Sequence, residues 1–158
     1  MKFQSRLIAG IFVAAMGVNG VSADDSVLPA SPLSENSPLD QARMAIKAKD
    51  WKKALASLNV ALKEDPRNAD VHNLLGYSYR KQASPNLPKA FEHYKLALKL
   101  DPKHKGAHEY IGEAYLMDKK PAEAEKHLAQ LEAICGKRNC EEYADLANAI
   151  AKYKASGK

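Results

Sequence analysis

From about Ser37 onward, apolar residues return at spacings of three and four, and prolines are confined to the junctions between these runs. This periodicity puts one apolar stripe on each of a series of helices. It predicts helices at about 38–48, 51–64, 69–82, 87–99, 106–118, 121–135 and 140–154. In the last of these, Tyr143, Leu146, Ala147 and Ile150 form the stripe, and Lys152 and Lys154 stand near the end, where cations suit the helix dipole.

Two earlier segments break the pattern. Lys2 and Arg6 precede an apolar run from Leu7 to Val18, which is short for a membrane span, and Val21-Ser22-Ala23 supplies the small-x-small pattern of a signal-peptidase site. Residues 1–23 therefore read as a signal peptide cleaved after Ala23. The stretch "DDSVLPASPLSENSP" that follows has neither helical nor strand periodicity, so residues 24–37 read as a flexible leader rich in Pro and Ser. No Cys follows the cleavage site to carry a lipid, and no later stretch is apolar enough to cross a bilayer. The expectation is an exported protein of the bacterial periplasm, soluble and without a membrane span after cleavage.

The helical part repeats itself. Asp65-Pro66 to Asp101-Pro102 is a step of 36 residues, as are Ala54 to Ala90, His72 to His108, Gly76 to Gly112 and Tyr79 to Tyr115. From Ala90 to Ala124 the step is 34, so the middle unit holds two extra residues, placed most simply in "ASPNLP" between its two helices. Loops accept such insertions at little cost. The three units fall at about 35–68, 69–104 and 105–138, and the helix at 140–154 covers the last apolar face.

A helix-turn-helix unit of this length, carrying Leu75-Gly76, Tyr79, Ala90, Tyr94, Ala97 and Pro102, resembles the tetratricopeptide repeat family. The third unit supplies Ile111-Gly112, Tyr115, Ala124 and Leu128, with Leu131 where a small residue is usual and no closing Pro. The first supplies Trp51, Ala54, Leu58, Ala61 and Pro66, with Ala42 and Ala45 in place of Gly and Tyr. The resemblance implies an all-α, right-handed α-solenoid of about three repeats with a C-terminal capping helix. The glycines and alanines then serve close helix approach within a hairpin, Tyr79 and Tyr115 fill the space between units, and each Asp-Pro ends a helix.

Cys135 and Cys140 lie between the third unit and the capping helix. Gly136 is placed to end one helix, and Asn139 can cap the next with Glu142 three residues on. In an exported chain the pair reads as a disulfide that pins the capping helix to the stack. Zinc held by the two Cys and His127 lacks the usual second ligand pair, and Cys-x-x-x-x-Cys is not the spacing of thioredoxin-like enzymes.

Charge and motifs exclude more than they suggest. The chain carries +5, and removing residues 1–23 takes Lys2 and Arg6 but no acid, which leaves +3. The basic residues are interleaved with Glu and Asp, so a nucleic-acid partner is not expected. His72 and His108 are repeat equivalents that read as half-buried packing residues. His93 and His127 read as residues of the outer helices that face solvent or the next unit. No metalloprotease, nucleophile-elbow, phosphate-loop or dinucleotide motif occurs. Neither an enzyme nor a metal or other cofactor is expected.

The resemblance implies a concave groove lined by the first helix of each unit and used to hold another protein or a peptide segment. Carried over by position, its lining is Arg43 and Lys47, then Asn73, Tyr77, Arg80 and Lys81, then Glu109, Glu113 and Met117. The groove is thus basic at its N-terminal end and acidic at its C-terminal end. The carboxylate-clamp subgroup grips acidic C-terminal tails with Lys, Asn and Arg. Here Leu39, Arg43, Leu74, Gly106 and Tyr110 occupy those positions, so chaperone-tail binding is not expected. Two other classes stay open: a structural subunit of an envelope complex that docks by its convex face or capping helix, and a thiol-exchange partner acting through Cys135. The sequence does not fix an oligomeric state.

Overall fold

A computed structural model describes residues 37–136 and 138–157 of the chain; the signal-peptide reading and nearly all of the leader fall outside them. Seven α-helices occur among the described residues: α1 Pro38–Lys47, α2 Trp51–Glu64, α3 Ala69–Lys81, α4 Leu87–Leu100, α5 Lys105–Met117, α6 Pro121–Cys135 and α7 Glu141–Ala155. Each expected helix is present, with ends shifted by at most one residue. None of them is long and apolar enough to cross a membrane.

Local chemistry starts most of these helices. Backbone N–H groups of Asp40, Lys53, Val71 and Lys89 donate to the side chains of Ser37, Asp50, Asn68 and Asn86, while Ala107 N–H donates to His104 Nδ1. Each bond satisfies a donor that the first helical turn leaves without a partner. At the two Asp-Pro junctions the Asp backbone is extended, with φ −137° at Asp65 and −132° at Asp101, as a following proline requires. The two Asp carboxylates accept from the N–H of Arg67 and Lys103 at 3.0 and 2.9 Å, so both turns are built alike.

The helices pair as hairpins α1/α2, α3/α4 and α5/α6, and each hairpin packs on the next. A backbone bond closes every hairpin at the same repeat position: Asp50 N–H to Ala45 O at 2.9 Å, Asn86 N–H to Tyr79 O at 2.9 Å and Lys120 N–H to Tyr115 O at 2.8 Å. In the middle unit the two partners are two residues further apart in sequence. The insertion is therefore absorbed in the loop, as expected, and α4 starts where an uninterrupted unit would start it.

Apolar side chains fill the space within and between hairpins in three clusters. Tyr79 packs on both the first and the middle cluster, and Tyr115 on both the middle and the last, so the two tyrosines bridge units. At Gly76 an added Cβ would lie 2.6 Å from the ring of Tyr94 on α4, a close approach within the hairpin. Gly112 departs from that expectation, because its Cβ would meet Leu146 of α7 at 2.6 Å rather than a residue of α6. Its small size admits the capping helix. Leu131, the large residue at a normally small position, is fully buried with Leu146 and Ile150 in the last cluster.

Cys135 and Cys140 are joined, with Cα atoms 5.8 Å apart. Gly136 ends α6 with φ 60°, a conformation that costs glycine nothing. The expected cap by Asn139 does not form. Cys140 is the N-cap residue, with no side-chain cap bond, because the disulfide holds it at the head of α7 and leaves Asn139 exposed one step outside.

Candidate functional site

First helices of the second and third units lie side by side, and α7 continues the row. Helix α3 packs on α5 and α5 on α7, whereas no comparable packing joins α2 to α4 or α4 to α6 among the described residues. Helices α3, α5 and α7 therefore form one face, which α1 joins through the Arg43–Asp70 ion pair; this is the inner face.

Aromatic rings run across this face. Trp51 at the start of α2 meets Tyr77 edge-on with centroids 6.1 Å apart, and Tyr77 meets Tyr110 of α5 at 4.7 Å. Arg80 sits over both tyrosines, its guanidinium carbon 5.5 Å from the Tyr77 centroid and 5.6 Å from that of Tyr110. It is 5% exposed, donates from Nε to the Tyr94 hydroxyl at 3.2 Å, and pairs through Nη2 with Glu113 at 2.5 Å. Burial works against its charge, but Tyr94 and Glu113 outweigh it and hold the arginine above its usual pKa. Burial likewise raises the Tyr94 phenol, and it pushes Tyr110 up to about 12 with help from Glu109.

The other residues carried over by position differ in exposure and partners. Lys47 and Lys81 are exposed. With Lys49, Ile46, Trp51 and Tyr77 they line a pocket of about 490 Å³, and Lys81 Nζ lies 5.8 Å from the Tyr77 centroid. Arg43 is half-exposed and tied to Asp40 and to Asp70 of α3, which also accepts from His104 Nε2 at 3.0 Å. Asn73 and Glu109 are buried, at 5% and 9% exposure, while Met117 is 45% exposed. Met117 and Leu116 border a crevice of about 760 Å³ whose other wall is Ala149, Lys152 and Tyr153 of α7.

At the acidic end the carboxyl of Glu109 is pushed up to about 8 by burial and then by Glu113, Asp145 and Glu142, with Arg80 opposing them. Glu142 and Asp145 come from the capping helix; sequence reasoning gives Glu142 only a capping role and Tyr110 only a clamp position, and it singles out neither Asp145 nor Lys49. Trp51 was read only as scaffold. A signal for Tyr110 existed, since it stands at one of the clamp positions that line the groove; the contribution of α7 had none, because that helix lies outside the repeat.

The histidines form two equivalent pairs. His72 and His93 approach through Nδ1 at 3.1 Å, and His108 and His127 at 2.9 Å. Nε2 of His72 and His108 bonds the carbonyls of Pro66 and Pro102 at 3.2 and 3.1 Å. A carbonyl only accepts, so these Nε2 atoms carry the protons, and Nδ1 of His93 and His127 donates across each pair. The rings of His93 and His127 stack on Tyr79 and Tyr115. The second histidine of each pair thus packs half-buried against the first helix of its own hairpin, and Nδ1 of His127 is committed to His108. One set of three metal-capable groups occurs among the described residues, Cys135, Cys140 and Glu142, and its two sulfurs are bonded to each other.

The tetratricopeptide repeat family model matches residues 39–105 and 86–138, the whole of the hairpin stack. The chain belongs to the tetratricopeptide repeat family. Among solved structures it is similar to the TPR2B domain in the pHsp70 complex of yeast Sti1, at 17% identity and TM-score 0.65, covering 73% of this chain and 92% of that one. It is also similar to the first TPR of Spaghetti (RPAP3) bound to the HSP90 peptide SRMEEVD, at 18% identity and TM-score 0.64, covering 75% and 89%. No curated protein matches the sequence. At these identities the structural likeness establishes the fold, an all-α helical repeat solenoid.

Proposed function

We propose that this tetratricopeptide protein is a non-enzymatic adaptor of the cell envelope that holds a segment of another polypeptide in its inner groove. The observation that carries the reading is the aromatic strip Trp51–Tyr77–Tyr110, flanked by the exposed Lys47, Lys49 and Lys81, which have no acidic partner among the described residues, on one side and by the acids around Glu109 on the other. Partly buried rings offer rigid contact area at low entropic cost, and the opposed charges give a bound segment a direction. Both similar structures are complexes, one with pHsp70 and one with an HSP90 peptide, which supports a polypeptide partner for this chain as well. The clamp residues that would grip an acidic tail are absent here, so the partner differs in chemistry.

The exported location rests on the sequence of residues 1–23 alone. A second reading, docking through the capping helix in a larger envelope assembly, is favoured by the crevice of Leu116, Met117, Ala149 and Tyr153.

The test is a crosslinking capture from envelope extract with the wild-type protein beside a Tyr77→Ala, Lys47→Glu, Lys81→Glu variant. A partner lost by the variant supports groove recognition; a partner kept by it moves the binding surface to the capping helix or the convex face.

A further inference from the structure

The acidic end of the inner face holds a buried acceptor without a donor beside a carboxylate without an ion pair among the described residues. Glu109 is 9% exposed, yet its carboxylate has no hydrogen bond or ion pair among the described residues, because Arg80 is committed to Glu113 and Tyr94. On the facing helix, Asn73 is 5% exposed and its Oδ1 is buried without a partner. Its amide lies against the first turn of α5, where an added Cβ at Gly106 would stand 3.2 Å from Nδ2, and Glu109 follows one turn later on the same face. A buried acceptor without a donor, as Asn73 Oδ1 is, loses the hydrogen bonds that water gave it, and the Glu109 carboxylate beside it has no cation of its own; together they point to a ligand that brings donors and positive charge.

We propose that Glu109 and Asn73 Oδ1 form a specificity pocket for the ammonium or guanidinium group of one Lys or Arg side chain in the bound polypeptide. The inference rests on the groove reading and adds the chemical class of residue that the groove selects. Several groups set the field there: Glu113 on the same helix, Arg80 on α3, and Glu142 and Asp145 on α7, with Lys105 reaching Glu142 at 4.0 Å. Acids outnumber cations around the site.

A metal ion fits poorly, because no three of the acids around Glu109 bring an oxygen each within 4.8 Å of one another among the described residues. A long side chain with several diverging N–H groups matches acceptors that stand apart. Arg80 is the internal precedent, a guanidinium held by a carboxylate, a phenol oxygen and two tyrosine faces immediately alongside. The ligand also explains the burial of Glu109: a carboxyl pushed up to about 8 is largely protonated when the site is empty, and an arriving cation displaces that proton. Affinity for a basic residue should fall about tenfold for each pH unit below the Glu109 midpoint.

Two measurements test the pocket. In the folded protein labelled with carboxyl-¹³C glutamate, saturating argininamide should lower the Glu109 titration midpoint by about one unit or more, the shift an opposite charge produces, while sodium chloride at equal ionic strength should not. Equal movement in both, or none in either, overturns the proposal. Separately, a random dodecapeptide phage library is selected at pH 8 on wild type and on Glu109→Gln. A Lys or Arg shared by the wild-type binders and missing from the variant's binders supports the pocket; the same consensus on both overturns it. Binders indifferent to Tyr77→Ala would overturn the groove reading instead, and the argininamide titration would still decide the pocket by itself.

Discussion

Arg80 donates from Nε to the hydroxyl of Tyr94 at 3.2 Å, linking the inner face of α3 to the second helix of its own hairpin. A residue that position alone assigns to the groove lining is thereby a buried strut. Tyr94→Phe should keep the packing and remove one acceptor from the guanidinium, at about 1–3 kcal/mol in urea unfolding. Arg80→Glu should abolish folding rather than binding, since it would bury a second carboxylate against Glu113; circular dichroism separates the two outcomes. For that reason a groove test should reverse Lys47 and Lys81 and leave Arg80 alone.

The histidine pairs predict acid sensitivity. Burial depresses the pKa of His93, His108 and His127, the last to about 4, with the partner His72 adding to the effect at His93 and His108 at His127. A depressed histidine binds its proton more readily in the unfolded chain, so stability is retained above the ordinary value near 6.5 and declines as pH falls from there toward about 4. Thermal midpoints measured between pH 7 and pH 4.5 should fall, and His93→Gln with His127→Gln should flatten that slope.

Glu109 acts with the opposite sign. Its pKa is raised to about 8, so its contribution is most favourable below the unfolded value of 4.5 and is lost as pH rises through the folded one. Glu109→Gln should raise the thermal midpoint at pH 8.5, and the gain should vanish near pH 4.5.

The two helical glycines should respond differently to alanine. At Gly76 the new methyl would meet the Tyr94 ring at 2.6 Å, a rigid neighbour fixed by its bond to Arg80, and overpacking of this kind costs about 1–3 kcal/mol. At Gly112 the nearest atoms are the Leu146 methyls, the ends of a side chain that can change rotamer. Chemical denaturation should rank Gly76→Ala as the more damaging.

Reduction of Cys135–Cys140 should cost about 2 kcal/mol by loop-closure entropy. The loss should concentrate in α7, which hydrogen exchange would register as faster amide exchange in Glu141–Ala155 with little change in α1 to α4.

The sequence made the scaffold legible because repetition averages over local noise. Equivalent residues such as Tyr79 and Tyr115 each serve the same contact, and the insertion in "ASPNLP" could be placed by subtraction alone. The inner face was legible only as positions. Whether Arg80 is a free cation or a buried strut depends on Tyr94 and Glu113, which lie 14 and 33 residues away and carry no pattern that ties them to it. The histidine pairing was half visible, since the spacing showed the equivalence, but not that each pair closes within one hairpin. The Asn139 cap failed because a covalent constraint overrode a local preference.

Leu131 also bears on how such an array could grow. Where the earlier units carry Ala61 and Ala97, a larger side chain fills the seat that a further repeat would need, and α7 is fitted over it through Leu146 and Ile150. Duplicating a unit between the first and second, or the second and third, would meet surfaces already shaped for one another. Adding a unit after the third would require replacing Leu131 and removing α7 together with its disulfide. One side chain and one cross-link thus act as a stop signal for lengthening the stack at this end, and recombination that extends the groove has to enter upstream of Pro121.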